Sequence, residues 1–130
     1  EDRAVEVLLE ALDTLPDRWE QSMERMTTLV SSLRDFRHPR ILDRLLGLAN
    51  DDFEEIRFLA VDGLSTFEEP AAADRILERL VDPEETVRIK TYVTDLLLER
   101  GWNLKHWKKR LADHLPEGYF VDDTGAVQRR

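Results

Sequence analysis

The chain contains no cysteine, which excludes disulfides, cysteine-ligated zinc and thiol catalysis. Glycine is sparse, with five residues in 130. No glycine-rich phosphate loop, nucleophile elbow or spaced Ser-His-Asp set is found. No apolar run approaches the ~20 residues needed to cross a bilayer, so no membrane span is expected. Positive charge is also short: 19 Lys and Arg stand against 28 Asp and Glu, a net charge of −9. That balance argues against nucleic-acid binding through the whole surface, since phosphate contacts need clustered cations. A secretory signal is missing too. The chain opens Glu1-Asp2-Arg3, and the expectation is a cytoplasmic piece of a larger parent protein.

What is present describes a folded domain. Hydrophobic residues make up 42% and charged residues 36% of the chain, too apolar for disorder. A domain of this length buries roughly two-thirds of the surface its unfolded chain would expose. Of the 19 basic residues 15 are arginine, which suits fixed, hydrogen-bonded pairing. The charge is uneven. Between Gly101 and Leu115 four basic residues face one acid, and Arg129 and Arg130 follow at the far end.

Self-comparison uncovers a repeat. A gapless shift of 31 residues pairs 30–57 with 61–88 and gives ten identities in 28 pairs. Among them are Val30/Val61, Leu33/Leu64, Pro39/Pro70, Asp51/Asp82, Glu54/Glu85 and Arg57/Arg88, with Ile56/Val87 conservative. Each unit reads as two helices. Pro39 and Pro70 fit a first helical position, where proline forfeits no intrahelical bond. Apolar stripes follow at helical spacing: Ile41, Leu42, Leu45, Leu46, Ala49 in one unit and Ala73, Ile76, Leu77, Leu80 in the other. Asp51 with Glu54, and Asp82 with Glu85, have the form of capping boxes. They predict second helices over 52–67 and 83–100, the latter stopped by Gly101. The same phase places an earlier pair over 3–15 and 17–36, broken at Pro16, and a further helix over 102–115. Its stripe is Leu104, Trp107 and Leu111. Residues 119–130 read as a small β-hairpin around Asp122-Asp123-Thr124-Gly125, serving as a cap over the last apolar face.

Asp51-Asp52-Phe53-Glu54-Glu55-Ile56-Arg57 and Asp82-Pro83-Glu84-Glu85-Thr86-Val87-Arg88 resemble the second-helix opening of HEAT repeats, of the bacterial HEAT-like (PBS-lyase-type) kind. The resemblance covers 38–100 well and 1–37 loosely. It implies an all-α fold: a right-handed α-α superhelix of about three helix pairs (3–36, 38–67, 70–100), then a final helix and the hairpin cap. It also implies a structural ladder of Asp51, Arg57, Asp82 and Arg88 between neighbouring repeats. One departure stands out. Asp95 replaces Leu64 and Thr91 replaces Ala60, so the third unit either slips in register or turns that face to something polar.

For function, the stacked second helices are expected to offer a concave row to another protein or peptide. Its contact residues would be Arg57, Phe58, Asp62, Arg88, Lys90 and Tyr92. Arg57 and Arg88 also suit an anion-binding ladder, although repeat spacing alone accounts for them. The alternative is a nucleic-acid contact through the basic, Trp-containing segment 102–110, with Trp102, Lys105, Lys108 and Lys109 at its centre. An acidic peptide suits that segment equally, and the plainer reading is a core Trp107 beside solvated lysines. No cofactor or metal is called for. His38, His106 and His114 never stand beside a Glu, so the His-Glu pairs of HEAT-type deoxyhypusine hydroxylases are missing. No catalytic set of HEAT-like DNA glycosylases transfers, and nothing marks a phycobilin lyase. A non-catalytic scaffold is the expectation.

Overall fold

A computed structural model describes residues 2–15 and 20–130, and for 20–21 the backbone only. The expected break at Pro16 lies outside the described residues. The order is α1 (Asp2–Asp13), α2 (Glu20–Leu33), α3 (Pro39–Leu48), α4 (Glu54–Leu64), α5 (Pro70–Val81), α6 (Val87–Arg100), a 3-10 turn at Lys105–Trp107, α7 (Lys108–Leu111), β1 (Tyr119–Val121) and β2 (Val127–Arg129). The fold is thus helical, in repeated pairs, with a small antiparallel hairpin near its C-terminal end. No described helix is long and apolar enough to cross a membrane. The chain divides into two compact units, residues 1–73 and 74–130.

In the first unit the sequence pattern explains the packing. Val5, Leu9 and Leu12 on α1, Met26, Val30 and Leu33 on α2, Ile41, Leu45 and Leu48 on α3, and Ile56, Ala60, Val61 and Leu64 on α4 are all buried. Helix α1 packs on α2 and α3 on α4, while α1 also meets α3 and α2 meets α4. First helices therefore lie beside first helices and second beside second, the two-layer pattern of stacked helical hairpins. The start of α3 is fixed locally: Pro39 occupies the first helical position and His38 caps it, Nδ1 accepting the Arg40 N–H at 3.1 Å.

In the second unit Ile76, Leu77 and Leu80 of α5 and Ile89, Val93, Leu96 and Leu97 of α6 are buried, as are Leu104, Leu111, Val121 and Val127. Strand β2 packs on α6. The hairpin pairs Tyr119 with Arg129, Phe120 with Gln128 and Val121 with Val127. Because Val121 and Val127 share one face and are buried, that face is the one turned inward.

Three expectations need correction. The aspartates Asp51 and Asp82 do not cap the second helices. Each accepts an N–H two residues on, Asp51 Oδ2 from Phe53 at 3.0 Å and Asp82 Oδ1 from Glu84 at 2.8 Å. Such local turns compete with capping for short acidic side chains. Helix α4 starts after Phe53, which makes no side-chain cap, and α6 starts after Thr86, whose Oγ1 accepts the Ile89 N–H at 3.3 Å.

The second correction follows from the first. Helix α5 begins 31 residues after α3, but α6 begins 33 residues after α4. The burial pattern obeys the longer shift. Ile56, Ala60, Val61 and Leu64 correspond to Ile89, Val93, Thr94 and Leu97, all buried. The residues aligned by the gapless shift do not: Val87 is 80% exposed where Ile56 is 0% exposed. A two-residue slip rotates a helix by about 200°, which exchanges its inner and outer faces. Asp95 and Thr91 therefore lie outside, and no polar group replaces Leu64 in the core. The register slips.

The third concerns 102–115, where only a 3-10 turn and the single turn of α7 form. Asn103 Oδ1 accepts the Lys105 N–H at 3.1 Å, and the Leu104 N–H donates to Gly125 O at 2.6 Å. The Leu104 N–H, which would have no intrahelical acceptor in a first turn, is thus satisfied by the hairpin and fastens the segment to it. Leu104 and Leu111 are buried as expected, whereas Trp107 is only half-buried.

Candidate functional site

On α4 the three nominated residues have distinct environments. Arg57 is half-buried and its Nη1 donates to the carbonyls of Asp51 and Asp52 at 3.0 and 3.1 Å. It closes the loop that opens its own helix. Phe58 is half-buried. Asp62, also half-buried, accepts from Arg34 Nη1 at 2.8 Å. Arg34 follows the last residue of α2, so this pair links the ends of two adjacent second helices in the first unit. Sequence reading missed Arg34, because no local spacing joins residues 28 apart.

On α6 Arg88 is exposed, and Lys90 and Tyr92 are half-buried. The register slip changes their correspondence. Arg57 is the fourth residue of α4 and Lys90 the fourth of α6, whereas Arg88 is the second. Asp62 corresponds to Asp95, and Phe58 to Thr91. Both helices therefore carry a cation at the fourth position and an acid near the C-terminal end of the outward face.

The loop opening α6 is built differently from that opening α4. Arg79 Nη2 reaches Asp82 Oδ2 at 3.1 Å and Nη1 reaches Glu85 Oε2 at 3.2 Å. The Glu85 side chain is 0% exposed, and its Oε1 accepts the Thr86 N–H at 2.9 Å. Burying this carboxylate requires such pairing. Arg79, Asp82 and Glu85 recur at every third position, a signal that the repeat alignment masks.

The segment 102–110 is brought against the hairpin. Lys105, Lys108, Lys109 and Arg110 are exposed and Trp102 is half-buried. Lys108 Nζ lies 3.4 Å from Asp123 Oδ1. The Arg110 guanidinium stacks over the Trp107 ring at 4.2 Å, Arg129 over Tyr119 and Arg130 over Phe120, each of these two at 5.1 Å. Arg129 also donates to the Tyr119 hydroxyl. In the hairpin turn the Asp122 carboxylate accepts from Thr124 Oγ1 and Gln128 Nε2, at 2.6 and 2.9 Å, and from the N–H groups of Thr124 and Ala126. The Thr124 hydroxyl first, then Gln128, hold its pKa well below the ordinary aspartate range.

Among the described residues no group of three His, Asp or Glu side chains gathers as a metal set. An open cleft of about 730 Å³ is lined by Ala11, Thr14 and Leu15 from the end of α1 and the residues after it and by Glu24, Arg25, Thr28 and Leu29 of α2.

The model of the HEAT repeats family matches residues 5–93. The chain belongs to the HEAT-repeat family. The match covers the three helix pairs to within α6, where the slipped third repeat lies. HEAT repeats generally mediate protein–protein interaction. No curated protein and no solved structure matches the chain.

Proposed function

We propose that this chain is a non-catalytic HEAT-repeat scaffold that binds another protein through the outward side of its second helices. The observation that carries the reading is the two-layer packing of residues 1–73. There α2 and α4 lie side by side, and the Arg34–Asp62 pair, Arg57 and Phe58 stand on or beside them. Large, half-exposed and mixed-charge side chains on rigid helices suit a helical or extended peptide better than a small molecule. On α6 the same role falls to Arg88, Lys90 and Tyr92, with Asp95 added as the counterpart of Asp62. Neither a cofactor nor a metal enters the reading.

The test is affinity capture from the source cell, comparing the wild-type chain with Arg88→Glu, Lys90→Glu and Asp95→Lys. The expected result is a protein retained by the wild type and weakened by reversals that leave thermal unfolding in place. Retention that survives all three changes overturns the assignment to this face. A captured substrate that is turned over overturns the non-catalytic reading.

A further inference from the structure

We propose that the segment from Trp102 to Arg130 forms a second contact surface, one that takes an acidic peptide segment of a partner protein. Residues 1–100 carry 13 basic and 24 acidic side chains, and residues 101–130 carry six basic and four acidic. The net charges are therefore −11 and +2. Within the small end, two of the four acids already have partners. Asp122 is engaged by four donors of its own turn, and Asp123 faces Lys108. Lys105, Lys109 and Arg110 are exposed.

The arginines are also held. Arg110, Arg129 and Arg130 each lie over an aromatic ring, at 4.2 to 5.1 Å. Contact with a ring restrains a guanidinium, so less rotamer entropy is lost when an oxyanion docks. A planar fork of this kind matches a carboxylate in bidentate geometry. Arg110 beside the exposed Lys105 and Lys109 gives a cluster of cations that favours a ligand with repeated carboxylates.

A nucleic acid fits less well for two reasons. Single strands bind by stacking bases on open aromatic faces, and here a face of Trp107, Tyr119 and Phe120 is taken by arginine. A long polyanion would also be repelled by the −11 charge carried on residues 1–100. A short acidic peptide needs contact only with the basic end, and this surface works independently of the α4 and α6 residues named above.

The experiment is fluorescence anisotropy with the full chain and three labelled probes: a short Glu/Asp-rich peptide, a neutral Gly/Ser peptide and a single-stranded DNA. The acidic peptide is expected to bind, more weakly as salt rises. Lys109→Glu with Arg110→Glu should weaken it about tenfold or more. Arg110→Lys, which keeps the charge but loses the stacked fork, should weaken it severalfold. Arg25→Glu on α2, an exposed reversal elsewhere, should leave it unchanged, and melting curves should confirm that every variant is folded. The proposal is overturned if the acidic peptide fails to bind at low salt. It is equally overturned if the double reversal has no effect or Arg25→Glu matches it, or if DNA binds more tightly than the peptide.

Discussion

Removing the Glu85 carboxylate is expected to destabilise the protein by about 3 kcal/mol, toward the low end for breaking a buried ion pair. The figure rests on geometry. The Glu85 side chain is 0% exposed and its Arg79 partner 14% exposed, so solvent cannot replace what is lost. Glu85→Ala strips Arg79 of one carboxylate and the Thr86 N–H of its acceptor at the start of α6. Arg79 keeps Asp82 at 3.1 Å, which holds the loss below the upper range. Glu85→Gln keeps the shape and an oxygen for the Thr86 N–H but removes the charge, and should lose about 1–2 kcal/mol. Urea denaturation followed by circular dichroism measures both, and a double-mutant cycle with Arg79→Met isolates the pair. A loss for Glu85→Ala within about 0.5 kcal/mol, the scale of an ordinary surface change, refutes the reasoning.

Two further predictions concern the hairpin. Gly125 has φ +90° and its carbonyl receives the Leu104 N–H, while a Cβ there would collide with Asn103 and Lys105. Gly125→Ala should therefore destabilise by at least about 1–3 kcal/mol in thermal unfolding, and a neutral result would contradict the packing of this turn. Asp122 has its pKa lowered in the folded state, so its contribution is complete above the ordinary aspartate value of about 4 and fades as pH falls below it. Its carboxyl signal in an NMR titration should stay ionised to lower pH than an unperturbed aspartate, and protonation at the ordinary value would contradict the hydrogen-bonded turn.

The first helices were legible because their signals are local. Pro39 and Pro70 each begin a helix, and of the stripes that follow Ile41, Leu42, Leu45, Ala49, Ile76, Leu77 and Leu80 are buried, while Leu46 and Ala73 are half-buried and Ala72 takes the inner place. The start of α6 was not. Asp82 and Thr86 are both competent caps, and the identities at Asp82, Glu85 and Arg88 all favour the 31-residue register. What decides is the burial of Glu85 against Arg79, a contact from the preceding helix that no capping pattern contains. Segment 102–115 shows the same limit: its apolar spacing correctly marks Leu104 and Leu111 as buried, yet the segment is fastened to the hairpin through the Leu104 N–H and the Gly125 carbonyl, a contact its own spacing does not contain. Among the nominated residues, Arg57 stands out from the repeat through its identity with Arg88, whereas Asp62 has no such match. Arg34 does not stand out either, and of the two readings of Asp95, a slipped register or a face turned to something polar, the slip holds and makes Asp95 the outward counterpart of Asp62.

The account turns on which side of α6 faces outward, since that decides which residues of the third repeat can meet a partner. The direct measurement is the unfolding free energy of Val87→Asp and Ile89→Asp, compared under the same denaturant conditions. Val87 is 80% exposed and Ile89 0% exposed. The expected result is a change within about 0.5 kcal/mol for Val87→Asp and a loss of several kcal/mol for Ile89→Asp, which buries an unpaired charge. The reverse order, with Val87→Asp the damaging change, would restore the 31-residue register and contradict the assignment of the outward face.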